Sequence, residues 1–259
     1  MLIDTHAHFY AEEFNDDRAE LLQVYPKELK WILLPNIDVE SIEPTLRLAE
    51  SSSICLPMMG LHPAYVKSDW DTHLKKIEDT LFEHPEKFCA VGEIGMDLYW
   101  DKTFVEEQKL AFRTQIRWAK ELKLPIAIHA REAFEPIFEI LDEENNEHLK
   151  GVFHCFTGTL SEAEKIRSYG GFKLGIGGVV TYKNSHLPDV LKQIPISELV
   201  LETDAPYLPP VPFRGKRNQP SYVQYVADKL VDIYQISSEE VAQITNINAT
   251  ELFQLTRFQ

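Results

Sequence analysis

The sequence has no apolar stretch long enough to cross a bilayer, and its start, MLIDTHAHF, has neither a basic head nor a long apolar run. Neither a membrane span nor a secretory leader is expected. Cysteine is scarce. Cys55, Cys89 and Cys155 are odd in number, far apart, and each lies in an apolar run. This argues against a disulfide framework and for buried reduced thiols, so the expected location is cytoplasmic. Positive charge is also short, with 26 Lys and Arg against 41 Asp and Glu and a net charge of −15. That balance opposes non-specific binding of nucleic acid. A polyanionic substrate would have to be met by a local field from metal ions and a few clustered basic residues. No G-x-G-x-x-G fingerprint or P-loop follows the first apolar run, which weakens an open doubly wound nucleotide-binding sheet. There is no linker, low-complexity segment or internal repeat beyond the alternation described next.

What is present is a regular alternation of short apolar runs with helical patterns. The expected strands are 2–8, 31–35, 54–61, 88–93, 125–129, 151–155, 172–175 and 198–203, most of them nearly continuous apolar runs, as parallel strands buried on both faces require. Helix signals fill the gaps. Thr103 with Glu106 and Ser161 with Glu164 read as capping boxes, Asp38 as a cap for the second helix, and Gly170-Gly171 as a stop. Ser237–Glu240 and Asn248–Glu251 suggest two short C-terminal helices. With 259 residues and 44% hydrophobic content, the expected fold is α/β: one (β/α)8 TIM barrel over 1–259 with extra short C-terminal helices.

The chemistry sits at the ends of these runs. His6 and His8 lie two apart, so a strand would present both imidazoles on one face. Glu93 ends AVGE, His129 ends PIAIH, His154 follows GVF, and Asp204 follows LVLET. In a (β/α)8 barrel all such ends meet at one rim, where active sites are built. One buried histidine is usually a hydrogen-bonded core residue; four at one rim with two carboxylates read as metal ligands. Neutral imidazole suits Zn, Mn, Co or Fe, and carboxylates can bridge ions. Six ligands exceed what one tetrahedral ion needs, so two divalent ions per chain (Zn, Mn, Mg or similar) are expected.

These residues also carry a family resemblance. LIDTHAHF, GLHP at 60–63, AVGEIGMD at 90–97, LPIAIHAREA at 124–133, FHCFTG at 153–158 and LVLETDAPYLPP at 199–210 resemble, in order, the motifs of the TatD family of metal-dependent deoxyribonucleases in the amidohydrolase-like superfamily. The resemblance spans nearly the whole chain. It implies that His6, His8, Glu93 and Asp204 bind one metal and that Glu93, His129 and His154 bind the other, Glu93 bridging. Tyr10 stands where many members have Asp or Asn, a departure that bears on substrate rather than on metals.

The expected reaction is metal-dependent phosphodiester hydrolysis, exonucleolytic on DNA as the resemblance suggests, with Asp204 as the base that takes the proton of the attacking water. His62, in GLHP, either contacts a phosphate or shapes a helix-entry turn with Pro63. Arg131 either holds a phosphate or forms a salt bridge. Glu202 shares the face of Asp204 as a supporting or packing residue. Arg214, Lys216 and Arg217 are the densest basic cluster, in a Pro- and Gly-containing loop just after Asp204, where they could contact a phosphate backbone. The expected partner is therefore DNA or another nucleic acid as substrate, with no membrane and no obligate protein partner. Two other readings use the same residues: a hydrolase of esters or amides such as aminoacyl-tRNA, and a metal-binding scaffold that recognises nucleic acid without cutting it.

Overall fold

The structure is a computed structural model and describes residues 1–258. Eight short strands run in parallel: β1 (Leu2–Asp4), β2 (Leu29–Leu34), β3 (Cys55–Pro57), β4 (Val91–Asp97), β5 (Ile126–Arg131), β6 (Gly151–Phe153), β7 (Phe172–Ile176) and β8 (Leu199–Leu201). They pair as β1-β2-β3 and β4-β5-β6-β7-β8. Two seams join these groups into a barrel. Met59 and Val91 bridge β3 to β4, and Ala7 and Ala205 bridge the segments that continue β1 and β8. At the second seam Thr5 N–H donates to Leu201 O, Asp204 N–H to His6 O and His8 N–H to Ala205 O. That closure sets His6, His8 and Asp204 side by side.

Helices α1 (Arg18–Glu28), α2 (Ile42–Ser51), α3 (Trp70–Glu83), α4 (Val105–Leu122), α5 (Phe134–Glu144), α6 (Leu160–Ser168), α7 (Leu187–Leu191) and α8 (Val223–Tyr234) occupy the connections. Strand residues alternate between two apolar layers, as a two-residue period demands. Ile32, Leu34, Ile126, Ile128, Leu199 and Leu201 face the helices, where α4 contributes Phe112, Ile116 and Ala119. Trp31, Leu33, Ala127, Val152 and Val200 form the second layer, together with Ala249, Leu252, Phe253 and Leu255 from the C-terminus. The latter come from α9 (Ser238–Leu252) and the turn after it, which cover the N-terminal ends of the strands. Asn246 accepts Ile3 N–H, Asn248 donates to Leu199 O, and Arg257 donates to Phe88 O. Among the described residues no helix is long and apolar enough to cross a membrane.

Several local expectations shift. The Ser237–Glu240 capping box starts α9, but Asn248–Glu251 does not start another helix: Asn248 is buried inside α9, where its amide serves two carbonyls. The C-terminal helix is thus one element of 15 residues rather than two short ones. The box that starts α6 is Thr159 with Glu162, two residues before the expected pair. Thr103 does not cap α4: Phe104 occupies the position before the helix, no side chain accepts there, and Thr103 N–H donates to Asp101. Ser41 precedes α2, and Asp38 stabilises the turn before it by accepting Ser41 N–H.

The strand expected to end at Glu93 continues to Asp97. Gly95 makes this possible. Its φ is +136°, and a Cβ there would lie 2.1 Å from His129 O. Only glycine allows this approach between β4 and β5, which sets Gly95 opposite His129.

Candidate metal centre

Every residue expected to bind metal reaches one buried cluster at the C-terminal ends of the strands. Glu93 is its hub, and the side chain is 3% exposed. Oε2 faces the N-terminal pair, 3.2 Å from His6 Nε2 and 3.5 Å from His8 Nε2. Oε1 faces the others, 3.0 Å from His129 Nδ1 and 2.8 Å from His154 Nε2. Asp204 Oδ1 lies 3.5 Å from His8 Nε2 and 3.8 Å from His6 Nε2. The His6 and His154 rings stack at 3.9 Å. One carboxylate thus turns one oxygen to each of two imidazole pairs.

Outer partners fix which ring nitrogen carries the proton. The Tyr10 hydroxyl donates its only proton to Pro35 O at 2.8 Å. Its 3.0 Å contact with His8 must therefore be a bond from His8 Nδ1–H. That leaves the Nε2 lone pair pointing at Glu93 and Asp204. Asp97 Oδ2 accepts from His129 Nε2 at 2.9 Å, which leaves Nδ1 to face Glu93. These are the carboxylate–histidine and hydroxyl–histidine supports that orient metal ligands and set their tautomer. The Asp97 carboxyl is itself held by Tyr99 and Trp100 N–H. Burial raises its pKa, but His129 and these amides outweigh burial and bring it down to about 2.

His62 is oriented the other way. Its Nδ1 accepts Ala64 N–H at 3.0 Å, so Nε2 carries the proton and donates toward Glu93 Oε1 at 3.2 Å. The expected turn at Pro63 is capped by this imidazole, which also presents a donor to Glu93. As an N–H donor it offers no lone pair to a metal, although its position beside Glu93 and His129 is within reach of one. Burial lowers its pKa and keeps it neutral, against the attraction of Glu93.

Electrostatics test the fit of a metal. Burial opposes ionisation of Glu93 and Asp204, yet the histidines around them outweigh it and hold both carboxyls below the usual range. His6 is pushed down by burial and by His154, whereas burial of His129 is outweighed by Asp97 and Glu93 and burial of His154 by Glu93 and Glu202, which draw both up. His8 Nε2 and His129 Nδ1 face carboxylate oxygens at 3.5 and 3.0 Å, contacts that need a cation between the two atoms, a proton on the ring or a metal ion. The N and O donor set suits divalent transition ions. Buried Nδ1 atoms of His6 and His154 and Oε2 of Glu202 have no hydrogen-bond partner. Glu202 Oε1 accepts Cys155 N–H at 2.6 Å and sits 3.6 Å from His154 Nδ1, in a space that a side chain at Gly175 would fill. It stands behind His154 as a support.

The cluster forms the floor of a pocket of about 640 Å³, lined by His8, His62, Glu93, Asp97, His129, Arg131, His154 and Asp204 among others. Its mouth carries Tyr65, Trp100 and Tyr207, all exposed, Trp100 at 70%. Among the described residues Arg131 forms no salt bridge; its guanidinium lies 4.2 Å over Tyr99 and 5.2 Å over Trp100. The basic loop divides. Arg217 makes a two-point pair with Asp17 at 2.6 and 2.8 Å and covers the Phe14 ring, and it does not line the pocket. Lys216 is exposed and also outside the lining. Arg214 lies over Tyr182 at the edge of an adjoining cavity.

Asp97 was not anticipated as a site residue, and Tyr10, expected to bear on substrate, here supports His8. A signal for each was present: Glu93, Gly95 and Asp97 share a two-residue period, as do His6, His8 and Tyr10.

Comparison with known proteins bears on this arrangement. The model of the TatD related DNase family matches residues 3–254. The chain is 40% identical over 257 residues to the uncharacterized metal-dependent hydrolase YabD of Bacillus subtilis (strain 168), covering 98% of this chain and all of that one. It is 30% identical over 262 residues to the 3′-5′ ssDNA/RNA exonuclease TatD of Pantoea vagans (strain C9-1), covering 98% of this chain and all of that protein. The crystal structure of the TatD homologue YjjV from Escherichia coli K12 superposes with a TM-score of 0.91 at 33% identity, covering 98% of each chain.

Proposed function

The chain belongs to the TatD family of metal-dependent hydrolases, and we propose that it hydrolyses phosphodiester bonds of single-stranded nucleic acid, DNA first, from a strand end through a dinuclear centre. The observation that carries this reading is Glu93, whose two oxygens face separate imidazole pairs beside Asp204. In this reading His6, His8 and Asp204 would hold one divalent ion, His129 and His154 would hold the other, and Glu93 would be common to both. Such ions supply charge for the phosphoryl oxygens and bring the pKa of water toward ~7.

The rest is the work of the chain's own groups. Asp204 stays ionised, because its histidine neighbours hold its carboxyl low, and it takes the proton of the attacking water. Its φ of +58° lies in the left-handed region that Asp tolerates, and its N–H is fixed on His6 O. His62 turns its Nε2–H from Glu93 to a phosphoryl oxygen. Arg131, without a carboxylate partner, meets a second phosphoryl oxygen at the mouth. The exposed faces of Tyr65, Trp100 and Tyr207 stack unpaired bases, a contact worth ~1–3 kcal/mol per base. A duplex would keep its bases inside the stack and out of their reach. The named activity of the Pantoea vagans relative supports a single strand and a 3′ end.

The test uses single-stranded DNA labelled at the 5′ or the 3′ end, assayed with Mg²⁺, Mn²⁺ or Zn²⁺. The reading expects mononucleotides from the 3′ end and arrest by chelator. Turnover of carboxylic esters or amides with no cleavage of DNA would assign the centre to the other hydrolase class.

A further inference from the structure

We propose that a second cavity beside the metal centre binds the neighbouring phosphate of the substrate strand, with Lys183 and Arg214 as its cations. The cavity measures about 300 Å³ and shares Thr157 and Val179 with the wall of the active-site pocket, so the two adjoin. It lies between the loops that follow β7 and β8. In (β/α)8 barrels these loops are a frequent place for phosphate, because backbone and side-chain donors converge there.

Its walls are pinned while its cations are not. The Tyr182 hydroxyl donates to Pro209 O at 3.0 Å, which ties one loop to the other. Gly178 packs against Leu208 O so closely that a Cβ would meet it at 2.3 Å. His186 Nε2 contacts Gly158 O at 3.1 Å, so that ring donates to the loop. On this floor the Arg214 guanidinium lies over the Tyr182 ring, 4.1 Å from its centre. Lys183 lines the same cavity and is exposed. Among the described residues neither cation pairs with a carboxylate, whereas Arg217, three positions from Arg214, is locked to Asp17. In a chain of net charge −15, two unpaired cations on one cavity wall mark a place for an anion. The shared wall makes that anion part of a molecule that also reaches the metal centre. A strand with successive phosphates fits; a substrate with a single phosphate fills only one of the two places.

The inference rests on the nuclease reading, and its test keeps the two apart. The kcat/KM of the holoenzyme is measured on a thymidine dinucleotide with one phosphate and on a thymidine octanucleotide, for wild type and for Lys183→Ala/Arg214→Ala. Both positions are exposed, and thermal melting checks that the double variant is folded. The expected result is that the ratio of octanucleotide to dinucleotide kcat/KM falls about tenfold, the loss of a charge-assisted phosphate contact. The log–log slope of octanucleotide binding against salt should shrink by ~0.7, one phosphate's share of counterion release. The conservative pair Lys183→Arg/Arg214→Lys should restore most of the ratio. An unchanged ratio and slope, or equal losses on both lengths, would overturn the second-phosphate site and leave the nuclease reading standing. If wild type cleaves neither length, both fall together.

Discussion

The two ends of the barrel are made from the same eight strands and solve opposite problems. At the N-terminal end Phe253, Leu252 and Leu255 close over Trp31, Leu33 and Val200, and the chain's C-terminal segment is tied to backbone carbonyls by Asn248 and Arg257, the Trp31 indole N–H being the one polar atom of these buried side chains without a partner among the described residues. At the C-terminal end four histidines and two carboxylates are buried together, and buried nitrogens of His6 and His154 are left without partners. One end holds the fold by packing. The other spends stability on a cluster that is satisfied when cations enter it. A clean division of this kind has consequences on both sides: substitutions at the mouth should change metal and turnover with little effect on the metal-free fold, and substitutions at the base should do the reverse.

Glu93→Gln is the harshest test at the mouth. A neutral amide offers one acceptor oxygen where two oxygens face two imidazole pairs. Both ions and all detectable turnover should be lost. Stripped of metal, variant and wild type should melt within about 2–4 °C of each other, the shift that ~1 kcal/mol gives in a chain of this size. Wild-type metal content in the variant would refute the bridging role. Phe253→Ala is its counterpart at the base. Removal of a fully buried ring costs ~3–5 kcal/mol, roughly a 10 °C fall in Tm, while metal per folded chain should stay at the wild-type level. If metal is lost along with Tm, the two ends are not independent.

Smaller effects sharpen the picture within the mouth. Asp97→Asn keeps a side chain of the same shape but removes the charge that accepts His129 Nε2–H, and support of this kind is worth ~10–100-fold in metal affinity or activity. The loss should fall on one ion, that held by His129. Tyr10→Phe removes only the hydroxyl that takes His8 Nδ1–H and should weaken the other ion by about tenfold, the low end of the same range. Titration with a chelating competitor reads both. Equal loss of both ions in either variant would show that the supports are not tied to separate sites.

Much of this was legible in the sequence because each strand announces itself as an apolar run and each residue of the cluster as the polar residue that ends it. His6, His8, Glu93, His129, His154 and Asp204 were found this way, and the barrel topology alone brings them together. What escaped were residues whose role depends on a partner far away in sequence. Asp97 works through His129, and its strand was expected to stop at Glu93, because nothing local shows that Gly95 lets β4 run on against β5. Arg217 looked like part of a substrate loop, but its partner Asp17 stands 200 positions away. Helix starts were misplaced where two Ser/Thr-x-x-Glu patterns overlapped, at Thr159 and Ser161, since only the path of the chain after β6 decides between them.

The central claim is that one carboxylate divides this cluster into two metal positions, and metal stoichiometry tests it most directly. Wild type, His6→Ala and His129→Ala, each loaded with excess Zn²⁺ or Mn²⁺ and freed of unbound ion, are compared by elemental mass spectrometry against protein concentration. The account predicts two ions per chain in wild type and one in each variant. A single ion in wild type, or two retained in either variant, would contradict it.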